Sequence, residues 1–304
     1  MKRETLTFYE DGVRRALTAI AASLDEAIDL GALAKSAALS PLHFHHVFRG
    51  MVGETPLEVH RRLRLERAAV QLAGGDAAVT TIAFDAGYET HESFTRAFRR
   101  AYALSPSELR ARAREARDAC ARPPQLELAA RCGLHYARPE LNLSLGATAM
   151  NATIETMPEM KVATVRHVGP YNQISDAFGR LGSLAGPLIG MPGCMMVGIY
   201  HDDPEAVPAA ELRSDAGLVV PPTAKVPAGL ATTTIPAGRY AKAIHKGPYD
   251  RLGDTWSQLM GAWIPQHDER IGDGVSFEVY RNTPMDAKPD DLVTEVYVPL
   301  RPLK

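Results

Sequence analysis

The chain has 304 residues, 45% hydrophobic and 23% charged, which excludes disorder, collagen and coiled coil and suits about two globular domains. No run reaches the roughly 20 apolar residues of a membrane span, so no membrane partner is expected. The formal net charge of −2 argues against a nucleic-acid binder until it is divided: residues 1–122 hold 18 basic against 16 acidic side chains, the remainder 16 against 20.

Met1-Lys2-Arg3 leads into a polar amphipathic segment without an apolar leader core. Cys120, Cys132 and Cys194 form neither a disulfide framework nor a CxxC pair, and both features predict a cytoplasmic protein. An internal repeat at an offset of 50 then organises the first third. Phe44, Phe48, Arg49, Pro56 and Glu58 return as Phe94, Phe98, Arg99, Pro106 and Glu108, and Ser40 aligns with Thr90. Residues 29–37 read as a short helix and Ala38-Leu39 as a tight turn. Ser40-Pro41 starts a second helix, with a hydroxyl cap and proline in its first turn. Phe44, Val47, Phe48 and Met51 give that helix a core stripe, while Leu42, His45, His46 and Arg49 give it a polar face. Residues 57–73 read as a connecting helix carrying Arg61, Arg62, Arg64 and Arg67, about 25 Å long. That length suits two reading helices near one duplex turn apart. Taken alone, the arginines would equally suit a solvated face. Residues 80–86 form another short helix closed by Gly87. Thr90 caps the next, with Phe94, Ala97, Phe98 and Ala101 inward and His91, Thr95, Arg96 and Arg99 outward. Short helix, turn, then a helix with a polar face is the helix-turn-helix arrangement.

Residues 8–116 resemble the AraC/XylS family of bacterial transcription regulators. The resemblance is carried by Ser40-x-x-His43-Phe44-x-x-x-Phe48, Gly53-x-x-Pro56, Ile82-Ala83-x-x-x-Gly87-Tyr88, Ser93-Phe94-x-Arg96-x-Phe98 and Ser105-Pro106. At Ala103 the family often has glycine, so a differently built turn is expected there. The resemblance implies double-stranded promoter DNA as partner and base-facing positions at Leu42, His45, His46, His91, Glu92, Thr95 and Arg96. Arg96 suits guanine O6 and N7, and Thr95 a thymine methyl. Glu92 suits cytosine N4 or a pairing with Arg96. Arg49, Arg61, Arg62, Arg99 and Arg100 suit phosphates. No metal is expected at His43, His45 and His46, which lack an i, i+4 pair or a nearby cysteine.

Periodicity weakens over 118–151, where Pro123-Pro124, Pro139 and a run of small residues at 146–152 read as a linker between domains 1–117 and 152–304. A second repeat, at offsets of 78 to 80, fills the last part. Pro158, His167, Gly169-Pro170-Tyr171, Phe178 and Leu181 pair with Pro236, His245, Gly247-Pro248-Tyr249, Trp256 and Leu259; Tyr200, Pro204 and Asp215 pair with Tyr280, Pro284 and Glu295. Each copy reads as a strand (160–167; 238–245), a helix (171–184; 249–264) and two strands (195–200 and 215–220; 275–280 and 292–299). A pseudo-twofold domain with a cleft between its halves follows.

Residues 152–304 resemble the GyrI-like domains, through the two Gly-Pro-Tyr turns, Ser276-Phe277-Glu278-Val279-Tyr280 and Thr294-Glu295-Val296-Tyr297-Val298-Pro299. That family's modules serve as effector-binding tails, and an AraC-type head on such a tail is a pairing found in regulators of multidrug and stress response. The resemblance implies a cleft for lipophilic, often cationic, ligands around one buried glutamate. The repeat locates the glutamate independently, since Glu278 falls where the first copy has Gly198. Tyr171, Tyr200, Tyr240, Tyr249, Trp256, Phe277 and Tyr280 would add apolar and cation–π contact. Alternatively Glu278 neutralises Arg281 or Arg239 and the aromatics are core. Glu295, matched by Asp215, reads as structural, and His167 and His245 as supports of the turns.

The fold class expected is therefore multi-domain, an all-α tandem helix-turn-helix head plus an α+β GyrI-like ligand-binding domain made of a duplicated strand-helix-strand-strand unit. The function expected is a ligand-responsive transcription regulator and not an enzyme, with no cofactor or metal. Its partners would be promoter DNA and a small-molecule effector, with RNA polymerase a further candidate. The alternative makes the tail a hydrolase with Glu278 as general base.

Overall fold

The computed structural model describes residues 4–119 and 150–302. Cys120, Cys132, Pro123-Pro124, Pro139 and nearly all of the expected linker lie outside them. The head holds seven helices among the described residues: α1 (Glu4–Ala22), α2 (Leu30–Ser36), α3 (Pro41–Val52), α4 (Pro56–Gly74), α5 (Val79–Asp85), α6 (His91–Tyr102) and α7 (Pro106–Ala119). Their starts follow local chemistry. The Ser40 hydroxyl accepts from the His43 amide, Thr90 from Ser93, and Thr55 and Glu58 close a reciprocal capping box.

By compactness the described residues divide into two units. One joins residues 4–16 and 30–54 to residues 150–302; the other comprises 17–29 and 55–119. The second unit is built on Leu65, Ala69, Leu72, Ile82, Phe94, Phe98 and Leu109. Arg64 donates to the carbonyls of Leu24 and Glu26, and Arg67 to Asp25 and the Asp85 carbonyl, so these two arginines tie residues 24–26 to α4. Ala101, expected inward, is exposed; Tyr102 packs there instead, its ring 4.7 Å from that of Phe98. The turn expected to be built differently at Ala103 is built alike. Gly53 closes α3 at φ +83° and Ala103 closes α6 at φ +55°, each amide donating four residues back, to Arg49 and Arg99.

In the first unit, residues 152–299 form one curled antiparallel sheet of eight strands: β1 (Ala152–Met157), β2 (Met160–Val168), β3 (Met195–Tyr200), β4 (Arg213–Val220), β5 (Ala231–Ile235), β6 (Gly238–Lys246), β7 (Phe277–Tyr280) and β8 (Val293–Pro299). The order is β1-β6-β8-β7-β3-β4-β2-β5. Strands β1 and β5, one per repeat, are additions to the strand-helix-strand-strand plan. Their patterns, Ala-Thr-Ile-Glu-Thr-Met and Ala-Thr-Thr-Thr-Ile, are too polar to announce a core strand. Each pairs with the other copy's second strand, β1 with β6 and β5 with β2, so the repeats clasp one another at both edges. The two Gly-Pro-Tyr turns are held alike: His167 Nε2 meets the Pro170 carbonyl and His245 Nε2 the Pro248 carbonyl, both at 3.1 Å. Helix α8 (Ser175–Ala185) covers Ala163, Val165, Ala216 and Leu218; α9 (Leu252–Gln258) continues through a π-helical turn, Leu259–Trp263. The opposite face packs Val162, Val197, Ile199, Tyr240, Phe277, Val279 and Tyr297.

A left-handed alanine costs on the order of 1 kcal/mol that glycine avoids. Ala103→Gly is therefore expected to raise the helical unit's stability by about 0.5–1 kcal/mol, read from urea unfolding followed by far-ultraviolet circular dichroism; an unchanged midpoint would show an unstrained turn.

Candidate DNA-reading faces and effector site

The two expected reading helices present their polar faces very differently. On α6, Glu92, Arg96, Arg99 and Arg100 are exposed and His91 and Thr95 half-buried. The Thr95 hydroxyl is buried without a hydrogen-bond partner among the described residues. On α4, Arg61 is exposed, whereas Arg62 donates to Glu66 one turn on, 2.9 Å away.

On α3 the same face is packed against the tail, inside the first compact unit. His45, 6% exposed, has Nδ1 at 3.3 Å from Asp203 and 3.7 Å from Glu205. The His46 ring stacks on Trp256 at 5.7 Å and 23°, with Nδ1 3.5 Å from the Ser257 hydroxyl. Arg49 donates to Asp254 at 2.8 Å, and His43 shares a 3.2 Å hydrogen bond with Ser276. Burial pushes the His46 imidazole well below its usual range, helped by the charges of His45, His43 and Arg49, and burial pushes His43 down to about 4. Leu42 is half-buried beside a cavity of about 600 Å³ that Phe8, Tyr200 and Arg270 also line.

Glu278 sits on β7 at the seam of the two repeats, directly opposite Gly198 on β3. It is 3% exposed. Trp256 Nε1 donates to one carboxylate oxygen at 2.8 Å and the Tyr280 hydroxyl to the other at 2.7 Å. The Tyr280 proton points at Glu278, so Tyr200 donates to the Tyr280 oxygen, 2.9 Å away. Burial pushes the Glu278 carboxyl up; the bonds from Trp256 and Tyr280 pull it partly back. Neither arginine weighed as its neutraliser reaches it, since Arg281 pairs with Glu295 and Arg239 with Glu269.

Around this carboxylate stand Tyr171, 4.9 Å from the Tyr200 ring, and Tyr249 and Phe178, 5.6 and 5.4 Å from that of Tyr280. Phe178 was absent from the expected set, though its repeat equivalence to Trp256 marks it. Tyr240 and Phe277 are corrected: strand alternation turns them to the other face, where they pack with Tyr297 and donate nothing to the Glu278 site. Glu295 and Asp215 are structural ion-pair centres. Glu295 receives Lys242 at 3.0 Å and Arg281 at 2.6 Å, and Asp215 receives Arg166 and His201.

A raised carboxyl binds its proton to higher pH when folded than when unfolded. Its contribution to stability is therefore lost as pH rises from about 4.5 through the raised value. Glu278→Gln is expected to gain in melting temperature over the native chain at pH 8 relative to pH 5; parallel pH profiles would show that Glu278 titrates normally.

Family models match two stretches: that of the GyrI-like small molecule binding domain covers residues 150–301, and that of a helix-turn-helix domain covers 33–112. The chain is 34% identical over 134 residues to a DNA gyrase inhibitor of Yersinia enterocolitica serotype O:8, spanning 42% of this chain and 84% of that protein. It is 33% identical over 89 residues to the regulatory protein SoxS of Salmonella typhimurium, spanning 29% of this chain and 83% of that protein. Among solved structures, the EcmrR–DNA complex aligns over 90% of this chain and 99% of that one, at 16% identity and a TM-score of 0.45.

Proposed function

This chain belongs to the GyrI-like small-molecule binding family, with an AraC-type helix-turn-helix domain in front, and from that premise we propose how its ligand-responsive regulation works: promoter DNA is read by α3 and α6, and a lipophilic cation is sensed at Glu278. The observation that carries the effector class is a buried carboxylate without a basic partner among the described residues, ringed by Tyr171, Phe178, Tyr200, Tyr249, Trp256 and Tyr280. An unpaired buried carboxylate costs several kcal/mol, and a cation entering among these rings supplies both the missing charge and cation–π contact. Tyr249, on the exposed side of the cluster, is the gate of such a site.

On α6, Arg96 reads a guanine and Arg99 and Arg100 hold phosphates. Arg61 adds a phosphate contact from α4, and Leu42, His45, His46 and Arg49 serve α3 in the same way. Such work takes place in the cytoplasm, at promoters shared with RNA polymerase. The tail binds and does not catalyse. Both Glu278 oxygens accept hydrogen bonds from fixed donors, which leaves the carboxylate poorly placed as a general base.

Arg96→Ala is expected to weaken binding to a duplex enriched from a random pool by about 1–3 kcal/mol and to relax preference at one base position. Unchanged affinity and preference would remove α6 from the reading surface. Tetraphenylphosphonium is expected to quench tryptophan fluorescence of the native chain and to lose most of its affinity with Glu278→Gln; equal binding by both would overturn the charge-paired site.

A further inference from the structure

The face of α3 that would read DNA is occupied. Three carboxylates of the tail, Asp203, Glu205 and Asp254, stand against His45 and Arg49, where phosphates or base acceptors would stand in a complex. An indole lies flat on His46 where a base edge would be. The helices cross at a pair of glycines: a Cβ on Gly261 would fall 2.6 Å from the Gly50 Cα, so any side chain there pushes α3 away.

The repeats show that this fit belongs to α3 and α9 alone. At the offset of 50, α6 carries Arg100 where α3 has Gly50, so α6 has no glycine at the crossing position. At the offset of 78, α8 carries Phe178 for Trp256 and Ser183 for Gly261, and so lacks both the indole N–H and the glycine crossing. Among the described residues of the tail, the helix that holds α3 is also the helix that touches Glu278, through Trp256.

We propose that the tail holds α3 as a substitute for DNA, and that an effector at Glu278 frees it through Trp256, the side chain shared by the effector site and the reading helix. The second half rests on the reading of Glu278 as the effector's carboxylate. The route is short. Trp256 Nε1 donates to Glu278 while its ring lies on His46. A cation seated against the carboxylate competes with the indole N–H for its charge and crowds the ring, and a shifted indole no longer supports the stack on His46. Coupling of this kind is reciprocal, so DNA that captures α3 also opens the effector site.

The test uses the full chain, a fluorescent duplex enriched on it from a random pool, and tetraphenylphosphonium. Gly261→Leu expels α3 sterically, and Asp254→Asn removes the partner of Arg49 without touching the glycine crossing. Both are expected to bind the duplex about tenfold more tightly than the native chain, within the usual range of allosteric coupling. Both should also speed hydrogen exchange over residues 44–52. Tetraphenylphosphonium should raise the native chain's DNA affinity and leave that of Gly261→Leu unchanged. Faster exchange over 44–52 without tighter DNA binding in either variant overturns the masking. If the cation does not bind the native chain, the Glu278 reading and the release step fall together, while tighter binding by the two variants still upholds the masking. If the cation binds but raises DNA affinity equally in the native chain and Gly261→Leu, the route through Trp256 is wrong.

Discussion

Glu278 stands beside Gly198 across the seam where the two halves of the tail sheet meet, so each copy's residue is the direct neighbour of its own repeat equivalent. Symmetry is therefore unusable at this point. A second carboxylate would face the first in a low-dielectric interior, and a side chain of any size at 198 would meet the Tyr280 hydroxyl, which lies 2.6 Å from where its Cβ would be. The asymmetry is a packing requirement before it is a chemical one. Once glycine is there, the two repeat-related tyrosines, Tyr200 and Tyr280, lean into the space and form a relay that ends on the carboxylate. The strand clasp at the sheet edges and the turns held by His167 and His245 keep that seam rigid enough for the relay to hold.

Much of this was legible in the sequence because duplication exposes its own exceptions. Helices α3 and α6 are announced by a hydroxyl cap and an apolar stripe, and Phe44, Val47, Phe48 and Met51 are buried as their spacing requires. Glu278 stands out only against Gly198. What stayed hidden obeyed no local period. Strands β1 and β5 are edge strands whose partners lie in the other repeat, so half of each strand's logic is about 80 residues away. Tyr240 and Phe277 share the composition of an aromatic cleft, and only strand alternation assigns them to the opposite face. Arg62 and Arg67 looked like members of one basic stripe, yet one is held by Glu66 and the other by Asp25 and a carbonyl. Charge counted along a chain does not reveal which charges are already paired.

The same limit applies to α3. Three polar side chains on one helix face, none of them in the apolar stripe, read equally well as a face for DNA or a face for another part of the chain. His45 and His46 are suited to both, since an imidazole in contact with carboxylates and an indole uses the same donors and the same flat surface that it would offer to phosphate and base. Gly50 distinguishes the two uses. A glycine in the middle of a helix costs roughly 0.5–1 kcal/mol relative to alanine, and base reading gains nothing from it. A close crossing with Gly261 does.

An internal substitute for DNA works only if it is weak. The tail is tethered to the head, so its effective concentration is set by the chain between them and not by how much protein the cell makes. Promoter DNA, by contrast, draws affinity from counterion release, which grows as salt falls, whereas the contacts around α3 are largely buried and little screened. The modest excess of two positive charges in residues 1–122, 18 basic against 16 acidic, fits that competition. A strongly basic head would overwhelm three carboxylates at any salt, and a neutral one would never leave them. With the balance close, the few kcal/mol that a cation gains by meeting an unpaired buried carboxylate would suffice to shift it, and the side chain that carries the effect has to be one that touches both. Trp256 is the residue that does so.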